Sequence, residues 1–145
     1  MTYSQLWRRL LPLYDEREAK AVVRTLLEER FNLTLTDLYT DGFDRLTDDE
    51  KAHIETLIER LEAGEPVQYI VGKARFCGRD YMVAPGVLIP RPETEMLCKE
   101  VISAYNKPYC ALQPPEPLRV LDIGTGSGCI AVTLALDLWN CTVTA

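Results

Sequence analysis

Three glycines that alternate with small polar residues are the part of the sequence best suited to chemistry. Gly124, Gly126 and Gly128 follow an apolar run, 118–123, that predicts a buried strand, and a helix is predicted from about 127 to 138. Glycine lacks a β-carbon, so the backbone can turn tightly there and approach a ligand closely. A helix that begins after such a loop directs free amides and its positive dipole end towards that ligand. The arrangement is typical of loops that hold adenosine-bearing cofactors.

The spacing within the loop distinguishes two classes of adenosine cofactor. Dinucleotide-binding loops favour G-x-G-x-x-G, whereas here the order is G-x-G-x-G and Cys129 stands at the third dinucleotide position. Asp122 would repel a pyrophosphate but could face the ammonium of an amino acid. This pattern resembles the first motif of class I methyltransferases that use S-adenosylmethionine. The predicted cofactor-binding residues of the loop are Asp122, Gly124, Thr125, Gly126, Ser127 and Gly128. The alternative is a tight strand–helix turn without a ligand.

A second candidate segment, 90–95, precedes a predicted helix. Prolines on both sides of Arg91 fix the backbone around it. Thr94 or Glu93 could cap the helix, and Glu95 lies in its first turn, near enough to Arg91 to form an ion pair. The segment is either a rigid helix entrance with a solvated salt bridge or a wall of the cofactor site.

The composition bounds the class of protein. Of 145 residues, 47% are hydrophobic and 26% are charged, as in ordinary globular proteins. No apolar stretch reaches about 18 residues, so we expect no membrane span. The five cysteines are scattered without a Cys-x-x-Cys pair. They predict reduced thiols of a cytoplasmic protein, and neither a disulfide framework nor a metal site.

The charge is concentrated in the first part of the chain. Residues 1–64 contain nine Lys and Arg against fourteen Asp and Glu, a net charge of −5. This excess of negative charge argues against a nucleic-acid-binding module. It is compatible with a basic protein partner. A solvated helical surface is the simpler interpretation.

The elements that position these residues follow in a clear order. Helical periodicity and capping signals, such as the capping box that begins at Thr47, predict helices over residues 1–64, with Gly64 as the last stop signal. A β-hairpin is predicted around Gly78–Asp80, with Phe76 and Tyr81 as packing residues. A strand–helix–strand unit completes the chain, and the helix predicted before it, over 93–105, has an inward face formed by Met96, Leu97, Val101 and Ile102. This order predicts an α/β protein that ends in the first unit of a doubly wound parallel sheet.

Three sequence segments indicate which class of molecule accepts the methyl group. Residues 64–72, 76–78 and 87–95 read GEPVQYIVG, FCG and VLIPRPETE, and they resemble the HemK-type protein-glutamine methyltransferases. The resemblance implies a helical substrate-recognition domain (1–64), a β-hairpin linker (65–92) and the beginning of a Rossmann-like methyltransferase domain (93–145). It also implies S-adenosylmethionine as cofactor, peptide chain release factors as partners, and a place beside the cofactor for Arg91 and Glu95.

The resemblance places catalysis outside these residues. In the family an Asn-Pro-Pro-Tyr segment holds the poorly nucleophilic glutamine amide and aims its nitrogen at the methyl group. That segment does not occur in this sequence. We therefore expect no catalytic residue here, no methyl transfer by this chain alone, and weak or no cofactor binding. An adenine-directed nucleic-acid methyltransferase, a non-catalytic protein-interaction module and, more distantly, a nicotinamide dehydrogenase are the alternatives.

Overall fold

A computed structural model describes residues 1–106 and 117–145 of the chain. Cys110 and nearly all of the proline-containing segment between the sixth helix and the third strand lie outside the described residues. The chain divides into two compact units, Met1–Val71 and Gly72–Ala145. The first is helical. The second combines a small antiparallel hairpin with two helices and a parallel pair of strands, so the predicted α/β class is confirmed.

Side chains of residues just before them cap the main helices of the helical unit. The helices are α1 (Tyr3–Arg9), α2 (Glu16–Phe31), α3 (Leu35–Tyr39), α4 (Asp48–Glu62) and α5 (Val67–Val71), with a 3-10 turn at Gly42–Arg45. The Asp15 side chain accepts a hydrogen bond from the Glu18 amide. Thr34 and Thr47 each form a complete capping box. These contacts satisfy amides that the first turn leaves unpaired.

The core of this unit is built from aliphatic side chains at helical spacing. Its fully buried members include Leu6, Leu10, Val23, Leu26, Leu27, Ile54, Ile58 and Leu61. Burial of each such side chain contributes roughly 1.5–3 kcal/mol. At the edge of the core, Arg9 of α1 forms a two-pronged ion pair with Glu62 of α4, with both donor–acceptor distances 2.8 Å. Arg9 also pairs with Glu55.

The unit continues past the predicted helix stop. Gly64 has φ +84° and ends α4, as predicted. The chain then forms α5, which packs against α2. The sequence analysis did not predict α5, whose Val67 and Ile70 are buried in the same core. The division into domains at 64 and 92 stays a prediction.

The hairpin pairs β1 (Lys73–Phe76) with β2 (Arg79–Met82). Its turn is Cys77-Gly78, with φ values of +46° and +78°, one step earlier than predicted. Positive φ at both central residues is characteristic of the two-residue hairpin turns that match the strand twist. The predicted packing role of Phe76 and Tyr81 is confirmed, because both are buried and their rings meet edge to face with centroids 6.0 Å apart.

The remaining elements are α6 (Pro92–Tyr105), β3 (Leu118–Leu121), α7 (Cys129–Asp137) and β4 (Cys141–Thr144). β3 and β4 pair in parallel from Leu118 opposite Cys141 to Leu121 opposite Thr144. This confirms the predicted strand–helix–strand unit. Alternate strand residues are half-buried, so the pair has one covered and one exposed face.

One expectation about α6 was wrong. The sequence analysis predicted Met96, Leu97, Val101 and Ile102 on its inward face. Met96 and Leu97 are more than half exposed, whereas Cys98 is fully buried. Val101 and Ile102 do pack against the core that surrounds Cys98. Cys98 shares a face with Ile102 at four-residue spacing, and Met96 and Leu97 lie outside that face.

Among the described residues, no helix combines the length and the apolar character needed to cross a membrane.

Candidate cofactor site

The site is centred on the carboxyl end of β3. The Asp122 amide donates a hydrogen bond of 2.8 Å to the carbonyl oxygen of Thr144, which extends the strand pairing one residue beyond β3. Asp122 is half-buried at this point. Polar side chains at the carboxyl ends of parallel strands lie where α/β proteins bind their ligands.

The three loop glycines adopt conformations that other residues avoid. Their φ values are +76° at Gly124, +60° at Gly126 and +78° at Gly128. A β-carbon placed at Gly124 would meet no atom within 4 Å. Glycine is therefore required at this position by the backbone conformation and not by crowding within the protein. The open space beside Gly124 leaves the backbone accessible to a ligand.

Hydrogen bonds fix the loop between the strand and α7. The Thr125 hydroxyl donates to Asp122 Oδ2 at 2.8 Å, so Thr125 holds the carboxylate at the strand end. The Gly128 amide donates to the Thr125 carbonyl at 2.9 Å, and the Val132 amide donates to the Gly128 carbonyl at 2.9 Å as α7 begins. The loop is thus a defined structure in which Asp122 and Thr125 form one polar unit.

The hydroxyl of Ser127 is the unexplained polar atom of the loop. Its Oγ is buried and has no hydrogen-bond partner among the described residues. A buried hydroxyl without a partner costs about 1–3 kcal/mol. Together with the first amides of α7, which helix geometry leaves unpaired, it provides hydrogen-bonding capacity that the protein itself does not use. A cofactor with both an ammonium and hydrogen-bonding groups fits this combination of a carboxylate, a hydroxyl and free amides.

Two thiols of this unit, Cys77 and Cys98, are unsuited to nucleophilic catalysis. Burial raises the pKa of Cys98 to about 11, with smaller contributions from Cys77 and Cys129. Burial also raises the pKa of Cys77. Both thiols therefore stay protonated at neutral pH, and a protonated thiol is a weak nucleophile.

The second predicted segment differs from expectation in two details. Pro92 occupies the first turn of α6 and Arg91 is the residue before it, without a side-chain cap. Neither Glu93 nor Thr94 caps the helix, because Pro92 already supplies the favoured φ at its first position. Glu95 does not pair with Arg91. Its Oε1 accepts a hydrogen bond of 2.8 Å from the Cys77 amide, and its Oε2 lies 3.3 Å from Lys99 Nζ.

Glu95 therefore ties α6 to the hairpin turn. The Cys77 amide and then Lys99 lower the pKa of Glu95. No hydrogen bond or ion pair among the described residues joins Arg91 or Glu95 to the glycine loop. Their predicted place beside the cofactor stays a prediction, and so does the cofactor role of Asp122 and the loop.

Two contacts that position α7 were missed by the sequence analysis. The Tyr81 hydroxyl lies 3.0 Å from the Thr133 hydroxyl in the core. Arg79 pairs through both guanidinium nitrogens with the Asp137 carboxylate at the end of α7, at 2.9 and 2.5 Å. Both contacts join the hairpin to the helix that follows the glycine loop. More than 50 residues separate the partners, and no local sequence signal links them.

The first unit is similar to a known domain family. Residues 5–72 match the family model of the PrmC N-terminal domain. Residues 5–72 belong to the PrmC N-terminal domain family. The match ends one residue after the helical unit, Met1–Val71, so the PrmC N-terminal domain includes α5 as well as the helices that the sequence predicted.

The similarity to known proteins extends into the second unit. The chain is 39% identical over 136 residues to the release factor glutamine methyltransferase of Bacteroides thetaiotaomicron, and the match covers 94% of this chain and 46% of the relative. The proteins of the same name from Koribacter versatilis and Flavobacterium psychrophilum are 46% and 36% identical over 90% and 98% of this chain, and 44% and 48% of their own lengths. The resemblance stated from the sequence is confirmed. The chain spans about half the length of these relatives.

Proposed function

We infer that the chain belongs to an enzyme that transfers a methyl group from S-adenosylmethionine to the side-chain amide of a glutamine in peptide chain release factors. The observation that carries this proposal is the similarity, over nearly the whole chain, to several release factor glutamine methyltransferases. The second unit would then be the beginning of a class I, Rossmann-like methyltransferase domain, and the protein would act in the cytoplasm.

The glycine loop supports the choice of cofactor. S-adenosylmethionine supplies a methyl group that its sulfonium makes electrophilic. In the proposed site the Asp122 carboxylate, held by Thr125, binds the ammonium of the methionine part. The backbone of Gly124–Gly128 provides close approach, and the unpartnered Ser127 hydroxyl supplies a hydrogen bond. The proposed position of Arg91 and Glu95 beside the site rests only on the family resemblance.

The two units take different tasks in this proposal. The second unit holds the cofactor, and the helical unit contacts the release factor. The segment that orients the glutamine amide is absent from the 145 residues. The chain alone is therefore proposed to transfer no methyl group and to bind the cofactor weakly or not at all.

A transfer assay tests the proposal. The full-length enzyme of this proposal, which would contain this chain and is called the longer protein below, would be incubated with S-adenosylmethionine carrying a labelled methyl group. Each reaction would contain one acceptor: a release factor, tRNA or duplex DNA. We expect label only on the release factor, and tandem mass spectrometry should place it on a glutamine amide. Label on an adenine of tRNA or DNA would favour the nucleic-acid alternative, and no transfer to any acceptor would favour an interaction module.

A further inference from the structure

The helical unit contains a groove that the proposed methyl transfer does not use. It lies along α2 and α3, has a volume of about 690 Å³, and adjoins a second cavity of about 440 Å³. Tyr3, Lys20 and Tyr39 line both cavities, which therefore lie side by side in this groove. We call it the α2–α3 groove. Its volume is within the range of sites that bind ligands.

Cations lie along one wall of the groove. Arg17, Lys20 and Arg24 line it from successive turns of α2. Lys20 bonds to Glu16 at 2.5 Å, and Arg24 lies 3.7 Å from Glu28. Arg17 is exposed and forms no ion pair among the described residues. The wall therefore presents at least one guanidinium whose charge the protein leaves unneutralised.

This basic wall contrasts with the rest of the unit. Residues 1–64 have a net charge of −5, yet three of the four charged residues that line the larger cavity are basic. A long polyanion such as nucleic acid would be repelled by the surrounding carboxylates. A short acidic segment could reach the cations alone, so charge complementarity favours a peptide.

Aromatic rings form the floor and rim of the groove. Tyr39 is 69% exposed, and its ring stands edge-on to Tyr3 with centroids 5.5 Å apart. Tyr3 is buried and donates its hydroxyl to the Lys20 carbonyl at 2.7 Å. Lys20 Nζ also lies 4.7 Å from the centre of the Trp7 ring. Exposed tyrosine beside arginine is the composition that dominates binding energy at protein interfaces.

We propose that the α2–α3 groove binds an acidic peptide segment of a protein partner, with Arg17 contacting a carboxylate and Tyr39 covering a neighbouring apolar side chain. The assignment of the partner as a protein rests on the proposed function, in which the helical unit contacts a release factor. The peptide binding itself requires neither the cofactor nor methyl transfer, so either proposal can fail without the other.

Nuclear magnetic resonance titration of the ¹⁵N-labelled chain tests this inference. The probe is a ten-residue peptide of alternating glutamate and leucine, and its matched control has glutamine in place of each glutamate. We expect the acidic peptide to shift amide resonances of α2 and α3, and the control to bind more weakly. Arg17→Glu and Tyr39→Ala should each weaken binding about five-fold or more.

Arg30→Glu provides the matched control, because it makes the same charge change at an exposed position of α2 outside the groove. It should leave the affinity nearly unchanged, and the amide spectra report directly whether each variant is folded. Three results would overturn the proposal: no shifts at millimolar peptide, equal weakening by Arg30→Glu and Arg17→Glu, or tighter binding of a single-stranded oligonucleotide at the same residues.

Discussion

At the scale of residues, the glycine loop is defined by its backbone conformation. Gly124, Gly126 and Gly128 all have positive φ, and Asp122 is held in place by Thr125. The sequence spacing was sufficient to predict a loop at this position because glycine at alternate positions has few other uses. It could not predict the hydrogen bond between Thr125 and Asp122, since that depends on the local turn.

Substitution of Gly124 separates strain from ligand binding. Gly124→Ala should lower the free energy of unfolding by about 1 kcal/mol, because alanine disfavours φ of +76°. In the longer protein it should also weaken S-adenosylmethionine binding. Gly64→Ala, with φ +84° and nothing within 4 Å of the new β-carbon, should cost a similar amount without changing cofactor affinity. Equal cofactor affinity in wild type and Gly124→Ala would contradict the site assignment.

Glu95 gives the hairpin contact a pH dependence. Its pKa is lowered in the folded protein, first by the Cys77 amide and then by Lys99. The stabilisation is therefore present above the unfolded pKa and is lost as the pH falls through the lower, folded value. We expect the Cys77 amide to lose protection from hydrogen exchange as the pH is lowered below about 4.5. Glu95→Gln should show a smaller change over the same range, and equal profiles would exclude this contact.

At the scale of elements, local signals predicted more than tertiary ones. Thr47 caps α4 as the sequence predicted, because a cap and its amide lie within three residues. The inward positions predicted for Met96 and Leu97 were wrong, and so was the Arg91–Glu95 pair, whereas Val101 and Ile102 do pack inward. Hydrophobicity alone does not distinguish a core position from an exposed one, and the Cys77 amide that binds Glu95 lies 18 residues away.

The capping box of α4 is testable by one pair of variants. Thr47→Ala should lower the free energy of unfolding by about 1 kcal/mol, since it leaves the Glu50 amide without its acceptor. Thr56→Ala in the same helix removes only a hydroxyl bonded to the Ala52 carbonyl and should change stability by less than about 0.5 kcal/mol. Denaturant unfolding of both variants provides the measurement, and similar losses would show that the cap is unimportant.

The hairpin–α7 contact predicts a coupling between two buried hydroxyls. Tyr81→Phe should cost about 1 kcal/mol, because the Thr133 hydroxyl loses its partner in the core. Thr133→Val should lower the free energy of unfolding less in the Tyr81→Phe background than in the wild type. A double-mutant cycle of unfolding free energies measures the difference. Tyr105→Phe, at a half-exposed ring, is the control. Additive effects of the two core substitutions would mean that the hydroxyls do not interact.

At the scale of the whole molecule, the chain combines two units with separate cores. The core of Met1–Val71 is shared by all of its α-helices and is mostly aliphatic, with Tyr3, Trp7 and Phe43 among its members. The core of Gly72–Ala145 surrounds Cys98 and joins the hairpin, α6 and α7. The sequence predicted the change of character after residue 64 but not α5, a helix of only five residues.

The separate core predicts that the helical unit folds by itself. A protein comprising residues 1–71 should show helical circular dichroism and a cooperative thermal transition, since its buried side chains form one core cluster. Loss of helical signal in this shortened protein would show that the helical unit depends on residues beyond 71.

Asp122 is the residue that we propose to bind the ammonium of the cofactor. Calorimetric titration of the longer protein with S-adenosylmethionine tests this role directly, with Asp122→Asn compared with wild type. The asparagine can still accept the Thr125 hydrogen bond but lacks the charge. Asp80→Asn, in the hairpin, is the control. We expect at least about ten-fold weaker binding for Asp122→Asn and unchanged binding for Asp80→Asn. Wild-type affinity in Asp122→Asn would contradict the proposed site.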